Sequence, residues 1–248
     1  MENSNRFEIT DGVLLEITEN TVFSDAIIRF KLAPTGIFAY LIKSQNIDIC
    51  TPYDILTSQD IFCFDKNGEF SSVKCASSNQ NRKTKIYDRL DYKKIRFGKL
   101  SLSGTLLPFE GTSFRYLNQD ERYYLCFYKI EDLKNSEIIF LSDDFAFIIK
   151  DRKYVGWYLK NPLNYLCDKH IQPKLPFTDV NDADYEVFNI FLNVFSDNRL
   201  YELDEDYDKL AVEIWTTISK IAPKIQNEQR RQIFLNAARY YYDSNVFE

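Results

Sequence analysis

Three neighbouring pieces decide the fold: Thr35–Gln45 (TGIFAYLIKSQ), Ile47–Leu56 (IDICTPYDIL) and Ile61–Cys75 (IFCFDKNGEFSSVKC). In the first, Ile37, Phe38, Leu41 and Ile42 recur at helical spacing behind Thr35, a residue able to cap, so the pattern predicts a helix over 35–45. In the second, Pro52 punctuates an extended segment and leaves Asp54 at a strand end. In the third, Asp65-Lys66-Asn67-Gly68 separates two apolar runs, and Asn-Gly favours the tight turn of a hairpin. Simple alternation then places Phe70, Ser72 and Lys74 on one side of the second strand, with Glu69, Ser71, Val73 and Cys75 on the other. Cross-ladder neighbours lie about 5 Å apart, so a hairpin allows Asp54 and Lys74 to converge.

A carboxylate and an ammonium brought together suit metal-dependent phosphodiester hydrolysis. The acid holds Mg²⁺, and the cation orients water or steadies the phosphate. The expected helix, the Pro-Tyr-Asp segment, the Gly-turned hairpin and Ser72-Val73-Lys74-Cys75 resemble the core of the PD-(D/E)XK nuclease superfamily over about residues 24–80. That resemblance implies Asp54 as metal-binding acid, Lys74 as catalytic lysine, Mg²⁺ as cofactor, and a DNA endonuclease of restriction or phage-defence type. Ser72 stands where the pattern has its second acid, and Gly36-Ile37 where relatives carry Gly-Glu. Glu69 has the wrong parity to replace it without a β-bulge, while Asp48, Asp60 and Asp65 are the other acids close by. The same frame also fits a degenerate, non-cleaving subunit acting by DNA or protein binding. A third alternative is an immunity- or inhibitor-type protein–protein module.

Charge distribution points toward nucleic acid. The chain carries a net −6, yet residues 82–99 hold eight basic side chains (Arg82, Lys83, Lys85, Arg89, Lys93, Lys94, Arg96, Lys99) against Asp88 and Asp91. This local +6 is interleaved with Tyr87, Tyr92 and Phe97, a mixture suited to phosphate contact with some base stacking. Arg82, Lys83, Lys85, Arg89, Lys93, Lys94 and Arg96 are the expected nucleic-acid contacts, to DNA rather than RNA, with a protein partner or a second copy as the other candidates. The single histidine, His170, leaves no ordinary base for a Ser or Cys nucleophile and no zinc-ligand spacing. No apolar run has the roughly 20 residues of a membrane span, and no signal-peptide pattern opens the chain, so a cytoplasmic protein is expected. The five cysteines lie mostly in apolar runs without a Cys-x-x-Cys pair and are read as reduced core residues.

Elsewhere, Asp11-Gly12 predicts an opening hairpin between Phe7–Thr10 and Val13–Ile17, whereas 24–31 fits helix and strand equally. Tyr123–Ile130 is nearly continuously apolar, as a mid-sheet strand is, and Ile138–Leu141, Phe145–Ile149 and Tyr154–Tyr158 add shorter strands. After the prolines at 162, 173 and 176, helical spacing returns in Asp182–Phe195, Tyr207–Ile221 and Gln226–Tyr242. The expected fold is α/β: a mixed central sheet with flanking helices in residues 1–160, a PD-(D/E)XK-like core, followed by a small helical C-terminal region in 161–248. The acidic cluster around 201–208 lacks the spacing of a calcium loop and suits a solvated turn leading into a helix.

Overall fold

The computed structural model describes residues 6–10, 13–19, 21–33, 36–43, 59–82, 95–97, 99–103, 109–129, 133, 135–196 and 207–246. It is an α/β protein dominated by strands, with two mixed sheets and three helices among the described residues. The first sheet contains β1 (Arg6–Thr10), β2 (Val13–Glu19), β7 (Ile95–Phe97), β8 (Lys99–Ser103), β10 (Phe114–Asn118), β11 (Tyr123–Phe127), β12 (Glu137–Phe140), β13 (Phe145–Lys150) and β14 (Lys153–Lys160). Its main path runs β7-β12-β13-β14-β1-β2-β8, with β11 and then β10 branching from β14. The second sheet runs β15-β3-β4-β6-β5-β9, formed by β3 (Ala26–Ala33), β4 (Gly36–Lys43), β5 (Gln59–Phe64), β6 (Phe70–Ala76), β9 (Phe109–Glu110) and β15 (Leu166–Cys167).

The helix expected over 35–45 is absent from its described part. Gly36–Lys43 is β4, paired antiparallel along its length with β3 and, over Phe38–Ile42, with β6. Ile37 through Ile42 are all buried, because this strand lies inside a sheet covered on both faces. A continuous apolar run satisfies helical spacing and two-sided strand burial alike, and partner strands on both sides decide between them. The ambiguous segment at 24–31 becomes β3 for the same reason. The opening hairpin, β11 within the first sheet, and β12 to β14 occupy their expected places.

Only one residue, Gly98, separates β7 from β8, although these strands end opposite sides of the first sheet's main path. Two residues of chain span about 7 Å at most, so the sheet must curl until its ends meet. β7 pairs in parallel with β12, and β8 antiparallel with β2, which makes 95–103 the seam.

The sheets pack face to face through Phe30 on Tyr124, with ring centroids 5.3 Å apart, and Phe62 on Phe147, at 5.1 Å. The same core continues into helices α1 (Asp182–Val194), α2 (Tyr207–Ile221) and α3 (Glu228–Val246), where Phe188 meets Phe30 and Phe234 meets Phe188 and Phe191. Helix α1 starts with a capping box: Asn181 Oδ1 accepts from Ala183 N and Asp184 N, while Asp184 Oδ2 accepts from Asn181 N. That carboxylate also takes a 2.9 Å bond from fully buried Arg230 of α3, whose other nitrogen reaches Asp179. Pro223 stops α2, and a 3₁₀ turn over Ala222–Lys224 leads to α3. No helix of the described residues is long and apolar enough to cross a membrane.

Two stability measurements follow from this packing. A Cβ at Gly156 would drive into the backbone of Cys126 and Phe127. Gly156→Ala is therefore expected to lower the urea midpoint by about 1–3 kcal/mol of stability. Arg230→Ala leaves the buried Asp184 carboxylate without its counter-charge and should cost about 3–5 kcal/mol. A double mutant with Asp184→Leu should recover part of that loss in the same titration.

Candidate functional site

The expected hairpin forms between β5 and β6. Asp65 Oδ1 accepts from Asn67 N at 2.8 Å and Glu69 N at 2.9 Å, so this carboxylate is committed to holding the turn. A β-bulge then changes the expected alternation: Phe64 pairs with Phe70, but the next step pairs Cys63 with Ser72. Phe70 consequently joins Val73 and Cys75 in the core between the sheets, rather than sharing a side with Ser72 and Lys74. Ser72 and Lys74 line the other face with Phe38, Tyr40 and Ile42, which come from β4.

Lys74 is fully buried, its ammonium 4.4 Å from the centre of the Phe38 ring. Burial holds its pKa below the usual lysine range; Asp60 acts in the opposite direction, and Lys31 adds to the depression. The Ser72 hydroxyl is buried and has no hydrogen-bond partner. Asp54 lies outside the described residues.

Asp60 is the acid brought nearest to this lysine, but from the opposite face. Ile61 pairs with Lys74, so its neighbour Asp60 points toward the first sheet. There its carboxylate accepts from Ala76 N at 2.7 Å and from Tyr154 Oη at 3.0 Å, with Tyr128 Oη at 3.5 Å. Complete burial pushes its pKa up to about 7, against the opposing pull of those hydrogen bonds and of Lys74. Tyr128 Oη also donates to Glu110 O at 2.7 Å, a shorter contact than the one it makes with Asp60.

The described residues alone do not make up a Mg²⁺ cage, and Asp54, the expected metal ligand, lies outside them. Ser72 offers a hydroxyl in place of a carboxylate, Asp65 is used by the turn, and Asp60 faces away from Lys74. Among the described residues no cluster of three His, Cys, Asp or Glu side chains is arranged around a common point.

The cationic segment is described at its two ends. Asn81 forms a β-bridge with Arg115, Arg82 N donates to Arg115 O at 2.9 Å, and the Arg82 guanidinium lies 4.0 Å from the Phe114 ring centre. At the far end, Arg96 is on β7 opposite Ile139 of β12, and Lys99 is on β8 opposite Glu19. Lys83, Lys85, Arg89, Lys93 and Lys94 lie outside the described residues.

Arg115 carries a role that the sequence pattern did not indicate. Although only 1% exposed, it donates from Nη2 to Leu192 O at 2.6 Å and Phe195 O at 2.9 Å, covering the carbonyls at the end of α1. Its Nε donates to Asn81 Oδ1, which ties this arginine to the start of the cationic segment. The one available signal was a charge set between Phe114 and Tyr116 in a strand otherwise suited to burial.

No family model, curated protein or solved structure matches the chain.

Burial of Asp60 has a measurable sign. Between an unfolded pKa near 3.8 and a folded one near 7, the folded chain keeps a proton that the unfolded chain has lost. The resulting stabilisation is present below about pH 4 and disappears as pH rises toward 7, up to roughly 4 kcal/mol. Chemical denaturation of the wild type and Asp60→Asn from pH 4 to pH 8 should show a decline that the variant lacks. Equal slopes would place the proton elsewhere.

Proposed function

We propose that the protein binds nucleic acid, with DNA preferred to RNA, through the cationic segment beginning at Arg82, and that binding rather than hydrolysis is its activity. One observation carries this proposal: a +6 segment in a chain of net −6 is rooted at Asn81–Arg82 and rejoins the fold at the seam strands β7 and β8. A charged segment held at both ends by a rigid scaffold presents its cations to a phosphate backbone at a smaller ordering cost than a free tail. Arg29 and Lys31 on β3 and Lys74 on β6, on either side of β4, add positive charge to the second sheet, although Lys31 and Lys74 are buried. The PD-(D/E)XK resemblance is compatible with a degenerate, non-cleaving member of that superfamily, because Ser72 replaces the second acid.

Binding to labelled duplex DNA, single-stranded DNA and RNA, measured by anisotropy between 50 and 200 mM salt, tests the proposal. Replacing Lys83, Lys85, Lys93 and Lys94 by Gln should weaken DNA binding and make the log–log salt slope shallower by about 3 to 4. Asp54→Ala should leave both affinity and slope unchanged. Absence of binding at the lowest salt would reject the proposal. Mg²⁺-dependent cleavage abolished by Asp54→Ala would replace it with an active nuclease.

A further inference from the structure

Beside the root of the cationic segment lies a cavity of about 210 Å³, bounded by Asn81, Arg82, Arg115, Tyr116, Asn189 and Asn193. Its electrostatics are one-sided. Neither Arg82 nor Arg115 forms an ion pair among the described residues, so two guanidinium groups share this site without a carboxylate. Each also keeps a buried nitrogen without a hydrogen-bond partner: Nη1 of Arg115 and Nε of Arg82. A buried N–H that lacks an acceptor is costly, and an anion reaching these nitrogens would relieve that cost at both residues.

The rest of the wall supplies donors. Asn81 Nδ2 is spent on Leu192 O at 2.8 Å and on Asn193 Oδ1 at 3.2 Å, which leaves the Nδ2 of Asn193 as a donor. Asn189, one helical turn earlier on α1, contributes a second carboxamide. The end of α1 would ordinarily repel an anion, but its carbonyls at Leu192 and Phe195 are already covered by Arg115.

We propose that this cavity is a binding site for a phosphate group, gripped by Arg82 and Arg115 with carboxamides completing its shell. The free Nη1 of Arg115, the Arg82 guanidinium and two carboxamides together exceed what one planar carboxylate can use, whereas a tetrahedral phosphate offers oxygens in several directions. The cavity has room for a phosphate monoester and part of its attached group. The phosphate comes either from a small phosphorylated molecule or from the 5′ end of a nucleic acid strand. The site stands independently of backbone binding by the cationic segment.

The test uses the full chain with three probes: inorganic phosphate, a 5′-phosphorylated single-stranded oligonucleotide, and its 5′-hydroxyl twin, both labelled at the 3′ end. Inorganic phosphate should raise the unfolding midpoint of the wild type, and Arg82→Gln should remove that rise. Arg115→Lys serves as a second variant, retaining the charge over the α1 carbonyls while losing the unpartnered Nη1; it should lower phosphate affinity as well. If a strand end is the natural ligand, the 5′-phosphate form binds about tenfold more tightly than its twin, and Arg82→Gln brings that ratio to one. A ratio of one in the wild type with stabilisation by inorganic phosphate retained assigns the site to a small phosphorylated ligand. No stabilisation by phosphate together with a ratio of one overturns the site, even if both strands bind through the cationic segment.

Discussion

The backbone contact between β14 and β11 at Gly156 is the constraint around which the first sheet is built. β14 pairs with β13 along one edge, while its other edge serves β1 near Lys153 and β11 from Gly156 to Lys160. The register against β13 slips between Ile148 and Ile149, so a bulge redirects β14 at the point where it passes from one partner to the other. Only a residue without a side chain fits there. Just beyond it, Trp157 reaches across the interior to Ala76 O of the second sheet and stacks on Phe145. The fork in β14 therefore governs both how the first sheet divides and where the second sheet rests.

Charges inside the molecule fall into three kinds. The Arg230–Asp184 pair is mutually compensated and joins α3 to the first turn of α1, with the capping box as a further partner. Asp60 has no counter-charge on its own side: burial raises its pKa, and Ala76 N and two tyrosine hydroxyls hold its carboxyl at the junction of the sheets. Arg115 belongs to neither kind: helix carbonyls and Asn81 satisfy part of its guanidinium, one nitrogen has no partner, and the residue lines a cavity. The same helix end thus supports the fold and leaves cationic capacity at the root of the segment richest in Lys and Arg.

How much could be read from sequence depended on whether a pattern had one structural solution. Asn67-Gly68 between apolar runs gave the β5–β6 hairpin, and the spacing of Leu210, Ile214 and Ile218 gave α2, because each pattern suits one geometry. Ile37–Ile42 was misread since a strand buried on both faces has no polar side to reveal its period. The bulge at Ser71–Ser72 was invisible for a related reason: Phe70, Ser72 and Lys74 alternate regularly in the chain, and the partner strand imposes the extra residue. Asp60 is one of three acids close to Lys74 in sequence, but its face depends on register against β6 and its raised pKa on burial, against tyrosines 68 and 94 positions away that pull it down. Arg115 required tertiary contacts with α1. The Asn181–Asp184 cap, by contrast, was open to reading from its three-residue spacing ahead of an apolar helix.

The pairing of Glu8 on β1 with Lys153 on β14 also bears on how the molecule is made. The N-terminal strand emerges from the ribosome roughly 145 residues before its parallel partner. At ordinary elongation rates this is a wait on the order of ten seconds. The β1–β2 hairpin can form meanwhile, but one edge of β1 stays open until β14 has been synthesised. Chaperone occupancy on ribosome-bound chains should accordingly fall when the segment through residue 160 has cleared the exit tunnel, a link between sheet topology and the timing of biosynthesis.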